Sequence, residues 1–211
     1  MVKRTLVVLA LLAALALLAS TAAYADSLTL ASLGTAADPG QTNSSGKPTI
    51  AIDAHPAWAA PLGTSSWVSF TTSGNPSDSN YVQVANGTVT SFFDNFSISG
   101  TPTSGSIEVM ADDSTSVWLN GHLLIAEAPT TNNTYNTCSD FDIGCKGAYV
   151  IDLTNYLQTG NNVLQFDVAQ RAGVSYGLDY YGQIQVPEPS SMLFLGAGLS
   201  AVAMRFRKKL K

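Results

Sequence analysis

The sequence predicts an all-β protein, an antiparallel β-sandwich or jelly roll, with an N-terminal signal peptide and a short C-terminal hydrophobic helix. Three observations predict it. Short segments rich in Val, Ile, Phe, Trp, Tyr and Thr recur through the body, separated by Gly, Pro, Asn and Ser clusters. Two of the breaks are Asn-Gly pairs. No long stretch repeats its apolar residues at helical spacing.

The strand candidates are residues 49–52, 67–71, 92–98, 106–110, 149–152, 163–168 and 176–184. Two hairpins add to them. Asn86-Gly87 supplies the two positive-φ residues of a type I′ turn, which would pair Val84 with Val89. Asn120-Gly121 does the same between Trp118 and Leu123, and pairs Leu119 with His122. One helical turn is expected at 153–157, capped by Asp152 and ended before Gly160. Residues 36–48, 72–80 and 130–147 read as loops, and the last of these holds both cysteines.

The two ends are set apart from the body. Lys3 and Arg4 precede an apolar run from Leu6 to Ala19, and Ala23-Tyr24-Ala25 then forms a small-x-small cleavage signal. Residues 1–25 therefore read as a secretory signal peptide, with Ala23 and Ala25 read by signal peptidase. The body is residues 26–185, and 186–211 form a separate tail.

Charge divides along the same lines. The chain has 10 basic and 15 acidic residues. Only Lys47, Lys146 and Arg171 are basic outside the two ends, while all acidic residues lie between Asp26 and Glu188. With the signal peptide and the basic end from Arg205 removed, three basic residues against fifteen acidic ones leave a net charge near −12. Such a surface repels nucleic acid and anionic lipid. Export favours a disulfide between the two cysteines, Cys138 and Cys145.

The tail has three parts in order. Val186-Pro187-Glu188-Pro189-Ser190-Ser191 precedes a 13-residue apolar run, Met192 to Met204, and a basic end from Arg205 to Lys211 follows. This resembles the PEP-CTERM sorting signal of Gram-negative bacteria, with Pro187, Glu188 and Pro189 as its motif. A run of that length makes a helix of about 20 Å, shorter than a hydrocarbon core of about 30 Å. Snorkelling of the basic residues bridges part of the gap, and the positive-inside rule keeps them cytoplasmic. The resemblance implies transient membrane anchoring, recognition by an exosortase, and release or transfer to the cell surface or extracellular matrix.

A second resemblance covers residues 106–184. Ala111-Asp112-Asp113-Ser114-Thr115-Ser116-Val117-Trp118-Leu119-Asn120-Gly121 resembles the Asp-Asp, strand, Asn-Gly hairpin of galactose-binding-like jelly rolls. Ile151-Asp152-Leu153-Thr154-Asn155-Tyr156-Leu157 and Gly160-Asn161-Asn162-Val163-Leu164 resemble that family's passage into a late strand. The resemblance implies a β-sandwich, sugar binding and a structural calcium.

Site candidates follow. Adjacent loop carboxylates bind calcium through oxygen, which makes Asp112 and Asp113 the candidate metal residues. Trp58 and Tyr135 lie in loops and are the candidate sugar platform, whereas Trp67 and Trp118 sit in strand patterns and read as core. Gly173-Val174-Ser175-Tyr176-Gly177 satisfies G-x-S-x-G, but a strand pattern follows where the nucleophile elbow needs a helix. Both histidines, His55 and His122, precede the serine, the reverse of the hydrolase order. No catalytic residue is assigned and no cofactor beyond the calcium is expected. The expected role is non-catalytic binding of a carbohydrate or exopolysaccharide by an exosortase-processed surface or biofilm-matrix protein. The alternative is a structural surface protein with no defined sugar ligand.

Overall fold

A computed structural model describes residues 26–127, 143–171 and 173–187 of the chain. The signal peptide with Ala23 and Ala25, Tyr135, Cys138, Glu188, Pro189, the apolar run and the basic end all lie outside the described residues. Ser27–Val186 forms one compact unit; Met1–Asp26 and Pro187–Lys211 are assigned to another, nearly all of it undescribed. Among the described residues no helix is long and apolar enough to cross a membrane.

The described chain is a β-sandwich. Its strands are β1 (Asp26–Ala31), β2 (Gln41–Asn43), β3 (Ile50–Ala51), β4 (Val68–Ser69), β5 (Val89–Ile98), β6 (Ser104–Asp112), β7 (Ser114–Leu119), β8 (His122–Ile125), β9 (Tyr149–Asp152), β10 (Gly160–Ala169) and β11 (Gly177–Val186). One sheet runs β3-β4-β11-β6-β9, with β1 also paired to β11. The other runs β2-β5-β10-β7-β8. Each sheet is built around one long strand. In the first, β11 pairs with β6 from Gly177↔Asp112 to Gln185↔Ser104. In the second, β10 pairs with β5 over ten positions, from Gly160↔Ile98 to Ala169↔Val89.

Alternation builds the core between the sheets. Successive side chains of a strand point to opposite faces. In β10, Leu164, Phe166 and Val168 are buried, and in β6 so are Ile107, Val109 and Ala111. They meet Phe92 and Ile98 of β5 and Leu178, Tyr180 and Ile184 of β11 in one cluster. Tyr180 stacks on Phe166 with ring centroids 4.5 Å apart. Its hydroxyl donates across the sandwich to Asp94 Oδ2 at 2.8 Å.

The second expected hairpin forms with the expected register. Trp118 pairs with Leu123 and Leu119 with His122, and Asn120 (φ 52°) and Gly121 (φ 79°) both take positive φ. A Cβ at Gly121 would meet nothing within 4 Å, so its substitution tests the backbone alone. Gly121→Ala is expected to lose about 1 kcal/mol in urea unfolding, the steric penalty of the left-handed region.

The first expected hairpin is corrected. Thr88 N–H bonds the Ala85 carbonyl at 3.1 Å, so the chain does turn there. Gly87 has positive φ and Asn86 does not, which rules out a type I′ turn. Residues 81–85 are not a strand. Gly87 N–H and the Thr88 carbonyl instead bond Gln170, 2.7 and 2.8 Å away, and Val84 enters the core alone. The expected loop at 36–48 contains β2, and the expected helical turn is a 3₁₀ turn, Thr154–Tyr156. Asp152 Oδ1 does accept the Thr154 N–H at 2.9 Å, and the Thr154 side chain together with that N–H holds the carboxylate pKa below the ordinary value.

Candidate functional site

A cleft of about 350 Å³ opens beside β3. Ala51, Ile52, Asp53, Ser66, Thr72, Gly74, Asn75 and Asp78 line it. The wall from 51 to 53 continues β3, since Ile52 N–H bonds the Trp67 carbonyl at 2.9 Å. The facing wall is the polar segment 72–78, held by turns that its own side chains make. Asn75 Oδ1 accepts from Ser77 N–H and Asp78 Oδ1 from Asn80 N–H, each at 2.9 Å. Thr72 Oγ1 donates to the Asn80 carbonyl. Ser73 anchors the segment below: its hydroxyl lies 2.6 Å from Ser69 Oγ and 3.2 Å from the Tyr176 carbonyl. Gly74 permits the close fit, because a Cβ there would lie 2.0 Å from Ile52 Cδ1.

Asp179 positions the remaining wall from beneath. It is fully buried on β11 and accepts from Ser32 Oγ, Ser65 Oγ and Leu62 N–H at 2.9, 2.5 and 2.9 Å. Ser32 Oγ also donates to the Ser66 carbonyl at 2.8 Å. Burial raises the Asp179 carboxyl pKa, and these donors oppose the rise.

Asp112 and Asp113 occupy a different place from the one expected of a solvated loop. They are 4% and 3% exposed. Asp112 ends β6, and the peptide bond between the two residues is cis. Asp112 Oδ2 accepts the indole N–H of Trp58 at 2.6 Å, and Asp113 Oδ2 accepts the Arg171 backbone N–H. Burial raises the Asp112 carboxyl pKa well above its ordinary value, and Asp113 beside it adds to the rise. Among the described residues no third His, Cys, Asp or Glu completes a cation site with them, whereas calcium takes six to eight oxygens.

Trp58 is not an open platform. It is 8% exposed and packs its ring on Trp67, 4.2 Å between centroids, in a cluster with Met110 and Cys145. The cause lies in its two faces of chemistry: the apolar ring finds Trp67, and the N–H finds a buried carboxyl. Trp67 is core as expected, and Trp118 is half-buried on β7. His55 is buried beside Trp58, with Nδ1 accepting the Ala57 N–H at 3.1 Å. Ser175 is buried and precedes β11, a strand. Glu127 forms a two-point ion pair with Arg171, at 2.7 and 2.5 Å.

None of the residues singled out in the sequence lines the cleft. What the sequence showed of the cleft was the strand at 49–52 and the loop at 72–80 that form two of its walls.

Residues 185–208 match the PEP-CTERM protein-sorting motif. The motif places a C-terminal sorting signal on the chain, that of an exported surface protein; it begins in the last two residues of β11, and Pro187 is exposed. No curated protein matches the chain. Among solved structures, similarity extends to a family 35 carbohydrate binding module from Clostridium thermocellum, at 11% identity over 74% of this chain and 97% of that one, with a TM-score of 0.41. A family 35 module from Paenibacillus barcinonensis follows at 12% identity over 73% and 95%, with a TM-score of 0.38. An α-L-rhamnosidase from Streptomyces avermitilis gives 19% identity over 63% of this chain and a TM-score of 0.43, and the match spans 12% of that enzyme.

Proposed function

We propose that this is an exosortase-processed protein of the cell surface or biofilm matrix of a Gram-negative bacterium, whose sandwich binds a carbohydrate without altering it. In this reading signal peptidase removes residues 1–25, the tail holds the chain briefly in the inner membrane, and exosortase then acts at Pro187-Glu188-Pro189. The cleft beside β3 carries the binding half of the reading. Its volume lies at the lower end of small-molecule sites, and carboxylates, hydroxyls and an amide line it, the groups that pair with sugar hydroxyls. A glycan array probed with the exported protein tests it; a folded protein that retains no glycan would overturn the proposal.

Processing has its own test. Mass spectrometry of the exported protein is expected to show Asp26 as first residue and no basic end. Retention of Arg205–Lys211 would contradict exosortase processing. The same spectrum, taken with and without reduction, tests the proposed Cys138–Cys145 disulfide.

Structural calcium at Asp112 and Asp113 is the remaining part of the proposal. Calcium at millimolar level should then raise the melting midpoint, EDTA should reverse it, and Asp113→Asn should abolish it. An unmoved midpoint would overturn the calcium reading.

One observation favours the alternative of a structural surface protein. The cleft lining holds no aromatic ring, although stacking on flat rings is a common mode of sugar binding. A deletion strain that loses aggregation, alongside a protein that ignores glycans, would establish that alternative.

A further inference from the structure

The charge of the cleft narrows the ligand. Asp53 and Asp78 both line it, and no Lys, Arg or His does. Among the described residues the ion pair is Arg171 with Glu127, so neither cleft carboxylate is neutralised by a protein cation. The remaining lining groups are the Ser66 and Thr72 hydroxyls and the Asn75 amide, beside Ala51, Ile52 and Gly74. Such a lining matches a sugar ring that carries hydroxyls and one positive charge. A uronic acid would bring a third carboxylate between two that already repel it. A neutral sugar would gain nothing from either charge.

We propose that the cleft selects an amino sugar with a free ammonium group, as in the deacetylated residues of a hexosamine polymer. This rests on the carbohydrate-binding reading above and specifies its ligand. The ammonium sits between Asp53 and Asp78, and the ring hydroxyls take Ser66, Thr72 and Asn75. Acetylation removes the charge, and with it the attraction to both carboxylates. Asp53 is exposed and Asp78 half-exposed, so the attraction is screened by salt. The acidic body around the cleft raises the local concentration of a cationic polymer but does not choose among its residues.

The test is calorimetry on the full-length chain in mild detergent at about pH 6, where an amine with an ordinary pKa is protonated. The probes are a glucosamine hexamer, its fully N-acetylated form and an oligogalacturonate. The glucosamine hexamer is expected to bind at least tenfold more tightly than the acetylated one, and more weakly as salt rises. Asp53→Asn and Asp78→Asn should each weaken it several-fold, with unchanged melting midpoints, since Asn keeps the acceptor that Asn80 N–H uses. Glu108→Gln, on β6 and outside the cleft lining, should leave binding as it was. Equal or tighter binding of the acetylated or uronic oligomer overturns the charge selection and leaves carbohydrate binding standing. Weakening by Glu108→Gln as large as by the cleft variants assigns the attraction to the body and overturns the site. Binding of none of the three overturns the amino-sugar proposal, and the glycan array then decides whether carbohydrate binding falls with it.

Discussion

Replacing Trp58 with alanine is expected to destabilise the sandwich by about 3–5 kcal/mol, the range for a buried large aromatic. Three losses combine. The ring leaves Trp67 and Met110 facing a cavity. Gly177, where a Cβ would lie 2.8 Å from the Trp58 ring, loses the surface that covers it. Asp112 loses the indole N–H that partners its buried carboxyl. Trp58→Phe separates these. It keeps part of the packing and removes the donor, so the loss should be smaller, with about 1–3 kcal/mol of it the usual penalty for an orphaned buried acceptor. Urea unfolding of the three proteins at one pH measures both steps. A Trp58→Ala loss below 1 kcal/mol would contradict the burial of this ring.

The second large effect is on the dependence of stability on pH. Asp94 is 2% exposed, and burial lifts its carboxyl pKa from 3.8 to about 6, with the Tyr180 hydroxyl opposing and Asp38 adding to the rise. Below about pH 3 the group is protonated whether the chain is folded or not, so folding carries no penalty there. Between pH 4 and pH 6 the folded state holds the proton that the unfolded state releases, and stability falls as pH rises. Above pH 6 the full penalty is present, on the order of 3 kcal/mol for a change of this size. Asp112 and Asp179 are raised by the same cause and slope the same way. Asp94→Asn keeps an oxygen to accept from Tyr180 and cannot ionise. It is expected to be more stable than the parent by up to about 3 kcal/mol at pH 8, and by almost nothing at about pH 3. A gain equal at both values would mean that Asp94 does not carry the penalty.

The buried carboxylates show why part of the chain was legible and part was not. Strands β6, β9, β10 and β11 were expected because apolar residues recur at every second position along them, and such alternation is written locally. The Asn120-Gly121 turn was expected because two adjacent positive-φ positions admit few residue types. β2 was missed because its buried side chains are Gln41 and Asn43. They are inside for their hydrogen bonds. Gln41 accepts from Leu33 and Gly34 N–H at 3.0 and 2.8 Å and donates to the Ala31 carbonyl at 2.6 Å. A polar residue with that task looks like any loop residue until its partners are known.

The sequence by itself determined the signal peptide reading, the three-part sorting tail and the class of the fold. Each rests on contiguous chemistry: a charge beside an apolar run, a Pro-Glu-Pro segment before another, strands of alternating polarity between turn residues. Tertiary structure alone decided the rest. It put Trp58 inside by joining it to an acid 54 residues away. It buried Asp94 against a tyrosine 86 residues on, and Asp179 against a serine 147 residues back. It assembled the cleft from three separate stretches around residues 51–53, 66 and 72–78. Whether a polar side chain lies in water or in the core depends on donors and acceptors that the chain delivers from afar, and no local window contains them.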